Sequence, residues 1–127
     1  MHLVIDGHDC DTKILQNQKL ITTFLEELPN KIGMSKLMSP KVNKYAAKNE
    51  EDWGISGFVI IAESHISVHT FPARKYINID VFSCKNFNVK EIISEVKKYF
   101  KLKNVKYWKI NRGINTISTN NSNQSLE

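Results

Sequence analysis

Between Gly57 and Cys84 the chain reads "GFVIIAESHISVHTFPARKYINIDVFSC", and no other stretch restricts the possible fold as much. Three extended segments are written into it. Gly57 to Glu63 is a nearly unbroken apolar run, while His65 to Phe71 and Tyr76 to Ser83 alternate apolar and polar residues with the period of a half-buried strand. Strands this close in sequence form a mostly antiparallel sheet, so the remaining elements have to cover it. The same stretch also places Ser64, His65, His69 and Cys84 in the most hydrophobic part of the chain, and their presence there needs a reason.

Helical periods supply the cover. Asp11 or Thr12 caps a helix whose apolar positions Ile14, Leu20, Ile21, Phe24, Leu25 and Leu28 share one side, and Pro29 and Gly33 are expected to end it. A second helix starts at "NFNVKE", with Asn88 as cap and Glu91 three residues on in the manner of a capping box. His2 to Asp6 and Val105 to Ile110 read as short strands. Met34 to Tyr45 is extended, with Pro40 marking an edge or a break, and "AAKNEEDWG" is a loop. The polar tail "NTISTNNSNQSLE" lacks a hydrophobic period and is expected to be disordered over residues 113–127, which leaves one domain over 1–112. Two helices can bury only one face of such a sheet. The expected architecture is therefore a two-layer α/β sandwich, an antiparallel sheet with two helices on one face, and the other face needs polar side chains or a partner.

Size and charge narrow the function classes. With 127 residues, 41% of them hydrophobic, the chain is large enough for one core and too small for two ordinary domains. A net charge of +5 gathers in "VKKYFKLKNVKYWK", where aromatic rings interleave with lysines as in a nucleic-acid surface. Val89, Ile92, Ile93, Val96 and Phe100, however, follow helical spacing, so those lysines read as the solvated face of an amphipathic helix and no nucleic-acid partner is expected. No run approaches the roughly eighteen apolar residues of a membrane helix, and Met1 leads into "HLVIDGHDCD" instead of a basic, then apolar leader. The chain reads as cytosolic, without a membrane partner, and its two cysteines, Cys10 and Cys84, as free thiols.

On the strand from His65 to Phe71, parity puts His65, Ser67 and His69 on one face. Cys84 shares parity with Asn78 and Asp80 on the next strand, so one polar face gathers His69, Asp80 and Cys84 if the register allows. Three readings compete. The residues are hydrogen-bonded or packed sheet positions; or His65, His69 and Cys84, with His8 or Cys10, hold zinc; or Ser64 is a nucleophile beside Glu63 with His69 as base. The zinc reading is weak, because histidines four apart on an extended strand lie about 13 Å from each other.

"GISGFVIIAESHISVHTFP" followed by "IDVFSC" resembles the prokaryotic S-adenosylmethionine decarboxylase proenzymes, with their GxSG, then ESH, then a histidine five residues beyond the serine, then a cysteine. "HLVIDGHDCD" resembles that family's start, so the likeness spans most of residues 2–110. The resemblance implies a precursor that cuts itself between Glu63 and Ser64: the Ser64 hydroxyl attacks the Glu63 carbonyl, an ester replaces the amide, and β-elimination leaves a covalent pyruvoyl group at position 64. It implies His69 as the base for that elimination, Ser56 of "GISG" as a helper in processing, and Cys84 as the proton donor in turnover, after the pyruvoyl group has formed a Schiff base with the substrate and carbon dioxide has left. Neither a metal nor pyridoxal phosphate is implied. The family's fold is a two-layer sandwich, and two processed protomers associate with active sites near their interface.

The implied substrate is S-adenosylmethionine, in spermidine and other polyamine synthesis. The family commonly carries an acidic residue after its TxP step and an aromatic residue shortly before GxSG; here those places hold Ala73 and Glu50, with Trp53 as a substitute ring. Relatives acting on ornithine or arginine use the same chemistry, and Asp80 is a candidate carboxylate for the substrate alongside Asp6, Asp9, Glu50, Glu51 and Asp52.

Overall fold

Alternation in the sequence becomes an antiparallel seven-stranded sheet in the computed structural model, which describes residues 1–62 and 64–112 and the backbone of 124–126. The strands are β1 (His2–Gly7), β2 (Lys41–Tyr45), β3 (Gly54–Ile61), β4 (Ser64–Phe71), β5 (Tyr76–Ser83), β6 (Val105–Ile110) and β7 (Gln124–Leu126), in the spatial order β2-β3-β4-β5-β1-β6-β7. The helices are α1 (Thr12–Leu15), α2 (Gln18–Lys31) and α3 (Val89–Phe100). This is the two-layer α/β sandwich expected from the sequence, with a short additional helix.

Burial divides the sheet into two faces. Leu3 and Ile5, Val59 and Ile61, Ile66 and Val68, and Ile77, Ile79 and Val81 are buried and join Ile21, Phe24, Leu25, Leu28, Ile92, Val96 and Phe100 in one core. Phe24 meets Phe100 edge to face at 5.0 Å between ring centres, which ties α2 to α3. At Gly57 an added Cβ would lie 3.0 Å from Leu25 Cδ1 and 2.9 Å from Val42 Cγ2, so the missing side chain lets α2 settle close onto β3. No helix among the described residues covers the opposite face. Across β3, β4, β5 and β1 the register lines up Phe58, Ser67, Asp80 and Val4, with Ile60, His65, Phe82 and His2 in the next row and Ser56, His69, Asn78 and Asp6 on the other side. Phe58 and Ile60 are each 42% exposed there, an uncovered apolar patch.

Several local expectations need correcting. The first helix is broken in two, because Asn17 adopts an extended backbone and its side chain accepts from the Leu20 amide (3.0 Å), restarting the helix as a new cap. Pro29 does not end α2. It lies buried in the last turns, where its missing N–H costs one helical hydrogen bond. Gly33, at φ +74°, is where the chain leaves the helical path. β3 begins at Gly54, three residues earlier than expected, because the buried Thr70 hydroxyl accepts from the Ile55 amide (3.0 Å) and donates to the Leu15 carbonyl (2.8 Å). Asn88 caps α3 as expected, accepting from the Glu91 amide at 3.2 Å. The tail, residues 113–127, falls largely outside the described residues; Gln124–Leu126 pairs with β6, a strand where composition led us to expect no regular element, since a backbone ladder needs no hydrophobic period. No helix among the described residues is long and apolar enough to cross a membrane.

Candidate active site

Strand β4 carries the candidate reactive residues at its two ends. At its start Ser64 pairs with Ser83 at the end of β5, and the Ser64 Oγ accepts a hydrogen bond from the Cys84 amide at 3.1 Å. The half-buried serine and the exposed Cys84 therefore share one rim of the sheet. His65, next along β4, points to the helix-free face and meets Phe82 edge to face at 5.7 Å. Glu63 lies outside the described residues.

At the other end His69 faces Ser56 across the β3–β4 ladder, and Ser56 Oγ lies 2.8 Å from His69 Nδ1. When Nδ1 carries the proton it donates to Ser56 and leaves Nε2 as the basic nitrogen; the hydrogen bond orients the ring either way. Ser56 and His69 line a cavity of about 400 Å³ together with Tyr45, Asp52 and Phe71. Phe71 is braced from behind. It stacks on Tyr76 (5.5 Å), whose hydroxyl donates to Asp6 Oδ1 at 2.6 Å and is pushed up to about 12 by burial and by that carboxylate.

The expected grouping of His69, Asp80 and Cys84 does not form within one chain. The register sets His69 opposite Asn78, while Cys84 stands beyond the far end of β5. Asp80 lies mid-face opposite Ser67 and pairs with His2 Nε2 at 3.1 Å, away from both ends. Nor is Ser64 within reach of its own chain's His69: five strand residues span about 16 Å, and the odd offset puts the two side chains on opposite faces. Trp53 follows a short turn at Glu50–Asp52 and lines a second cavity, of about 360 Å³, which shares Tyr45 with the first. Cys10 is buried, its thiol pushed up to about 11 by desolvation and the Asp9 charge, and takes no part in either end. No cluster of three metal-ligating side chains occurs among the described residues.

Sequence reasoning missed Thr70, Tyr45, Phe71 and Arg74. Of these only Thr70 had a usable signal, a polar residue at a core-parity position, which signals a buried hydroxyl with partners to satisfy. Arg74 binds the Glu50–Asp52 turn from 22 residues away, through Nη2 to Asp52 Oδ1 (3.0 Å) and Nε to the Glu51 carbonyl (3.1 Å), which no local pattern announces.

Comparison with known proteins agrees with the geometry. The sequence model of a family described as S-adenosylmethionine decarboxylase matches residues 1–113. An S-adenosylmethionine decarboxylase proenzyme of Clostridium botulinum strain Hall is 35% identical over 113 residues, covering 88% of this chain and 92% of that one. The proenzyme of Methanococcus aeolicus is 32% identical, covering 79% and 81%, and that of Thermococcus kodakarensis 34%, covering 89% and 76%. Among solved structures, the adenosylmethionine decarboxylase of Aquifex aeolicus superposes with a TM-score of 0.69 at 23% identity, over 97% of this chain and 95% of that one, a likeness of fold.

Proposed function

The chain belongs to the S-adenosylmethionine decarboxylase family, and from that premise we propose that it is a self-cleaving proenzyme whose mature form removes carbon dioxide from S-adenosylmethionine in polyamine synthesis. The observation that carries this reading is the division of reactive groups along β4: a serine hydroxyl hydrogen-bonded at the Cys84 amide on one rim, and a histidine oriented by Ser56 on the other.

The chemistry of the precursor balances without an added oxidant or reductant. Ser64 Oγ adds to the Glu63 carbonyl carbon, the C–N bond between them breaks, and an ester joins Glu63 to the Ser64 side chain. Removal of the Ser64 α-proton then expels the Glu63 carboxylate, and water converts the resulting dehydroalanine end to a ketone with release of ammonia. A pyruvoyl group at position 64, once made, supplies an electrophilic carbonyl that engages the substrate's amine and accepts electrons as the carboxylate leaves. Ser64 suits that group, since it is half-buried at a strand start with its Oγ already fixed at 3.1 Å from a backbone amide. Cys84, adjoining and exposed, is positioned to return a proton to the substrate carbon.

The base for the α-proton is His69, and the roughly 16 Å of strand between it and its own Ser64 calls for a second copy of the chain to supply it. The exposed apolar patch of Phe58 and Ile60 on the helix-free face supports such an assembly, with two sheets stacked about 10 Å apart. In a two-fold dimer the exchange is reciprocal: each His69 serves Ser64 of the partner subunit, and the axis passes midway along β4, near Phe58, Ser67 and Asp80. Trp53 is the candidate ring against the substrate. Residues 1–112 form the catalytic unit, with 113–127 as an appended tail.

Mass spectrometry of the purified protein tests the reading first. Fragments 1–63 and 64–127, the second blocked by pyruvate, are expected; one intact species after prolonged incubation refutes it. Release of carbon dioxide from S-adenosylmethionine, measured beside ornithine and arginine, tests the substrate.

A further inference from the structure

The lysine-rich stretch 96–109 gathers around a hollow of its own, apart from the reactive rims. Lys97, Lys101, Lys103 and Lys106 line a cavity of about 730 Å³, completed by His8 and Asp9 from the loop after β1. It shares no lining residue with the cavity at His69. Lys97 sits in the last turn of α3, where a cation complements the helix dipole, but the other three lie beyond the helix and the dipole does not account for them. Nor does the Lys97 carbonyl need a side-chain partner, since it already accepts from the Lys101 and Leu102 amides. Lys31, Lys36 and Arg74 each hold a carboxylate, whereas none of these four lysines does so among the described residues. Four ammonium groups against the single carboxylate of Asp9 leave a charge of +3 among the described lining residues. Like charges held together repel, and an anion entering the hollow relieves that repulsion.

Two observations choose among anions. The volume is that of a small-molecule site, which runs to about 300–1,000 Å³. A single strand of nucleic acid needs instead a groove with rings on which its bases stack. Tyr99, Phe100, Tyr107 and Trp108 do not line the cavity, and the first three pack in or on the core. We propose that this cavity is a second ligand site that takes a chain of phosphate groups, either a free inorganic oligophosphate or the tail of a nucleotide. A short phosphate chain carries roughly three to four negative charges, which match the +3 of the wall. Lysine ammonium groups, each with three donors on a flexible stem, meet phosphate oxygens without demanding one geometry. The site stands whether or not the decarboxylase reading does.

Calorimetry on the purified full chain tests the site, with inorganic tripolyphosphate as the probe and magnesium absent. One should bind per chain, roughly tenfold tighter than orthophosphate. Lys103→Gln should weaken it roughly two- to fivefold, the span of an exposed charge pair, and adding Lys97→Gln should weaken it further. Asp9→Asn should tighten it by a similar factor, and asparagine keeps the left-handed backbone at φ +56°. Lys90→Gln removes the same charge on the first turn of α3, about 16 Å from Lys101 along the helix and beyond the roughly 8 Å screening length, so binding should not change. His69→Ala should bind as the unaltered chain does. A loss in Lys90→Gln equal to that in Lys103→Gln, an Asp9→Asn variant that binds no better, or a loss in His69→Ala overturns the proposal. So does a short oligouridine bound more tightly than tripolyphosphate, which would make the lysines an RNA-binding face. ATP titrated beside tripolyphosphate names the source: tighter binding of ATP assigns the site to a nucleotide tail, weaker binding assigns it to the free chain, and saturable binding of neither refutes it.

Discussion

If His69 serves Ser64 of the partner subunit, two chains that are each unable to cleave should rescue one another. The perturbation is a co-expressed pair, one chain Ser64→Ala and the other His69→Ala, carrying different affinity tags at the C-terminus. The structure sets the scale. Within one chain the two positions are separated by about 16 Å of strand, whereas a general base must lie within about 3 Å of the proton it takes. No rotamer of a histidine closes that gap. Each chain expressed alone therefore stays intact. In a random mixture of equal amounts, half of the His69→Ala chains sit in mixed dimers, where the partner subunit brings an intact His69, so about half of them should be cut. The Ser64→Ala chains should not be cut at all. Intact mass spectrometry of the separately tagged chains gives both fractions directly. Absence of cleavage in the mixed sample, with mixed dimers demonstrated by tandem affinity purification, would refute the reasoning. Cleavage of His69→Ala expressed alone would refute the assignment of the base itself.

Three further outcomes follow. Phe58→Glu places a charge at the centre of the helix-free face without touching the core, and should yield a folded, uncleaved monomer by light scattering and mass spectrometry; a cleaved monomer would show that no second copy is needed. Cys84→Ala should cleave normally yet lose about 10²–10⁴-fold in turnover, and unchanged carbon dioxide release would move the proton donor elsewhere. Thr70→Val removes both partners of the Ile55 amide and the Leu15 carbonyl in a buried place, so urea unfolding should report a loss of about 2–4 kcal/mol, and a change under about 0.5 would mean that water replaces the hydroxyl.

Much of the fold was legible because β4 and β5 announce themselves by parity and β3 by its apolar run, and Asn88 with Glu91 announces α3. The errors fell where a tertiary contact outweighed a local rule. Pro29 is tolerated in a helix because it lies buried two residues before the end of α2, where little hydrogen bonding is sacrificed. The start of β3 depends on Thr70, fifteen residues away from Ile55, and the Asp52 wall depends on Arg74. The candidate site was legible as a set of residues and illegible as an arrangement. Yet part of that arrangement was available: the strand arithmetic that separates His65 from His69 and weakens a zinc site applies equally to Ser64 and His69. Treating the latter pair as neighbours required a partner that a single sequence does not display.

Placing the two halves of a reactive centre at opposite ends of one strand has a consequence for maturation. A serine and a base in contact within one chain would begin cleavage as soon as β3 and β4 paired, before the core beneath them had closed. On the proposed assembly the base arrives only when two finished sheets meet face to face, because Phe58 and Ile60 stand exposed among the described residues and about 16 Å of strand separates His69 from its own Ser64. On that reading the scissile bond breaks in a chain whose two fragments are already held by the ladders β3–β4, β1–β5 and β1–β6, each of six residue pairs, and by a common core. If assembly precedes cleavage, the rate of appearance of fragments after dilution of a freshly refolded precursor should fall with concentration below the dimer dissociation constant. A rate independent of concentration through a range where light scattering reports monomer would place the base inside the same chain and refute the two-chain site.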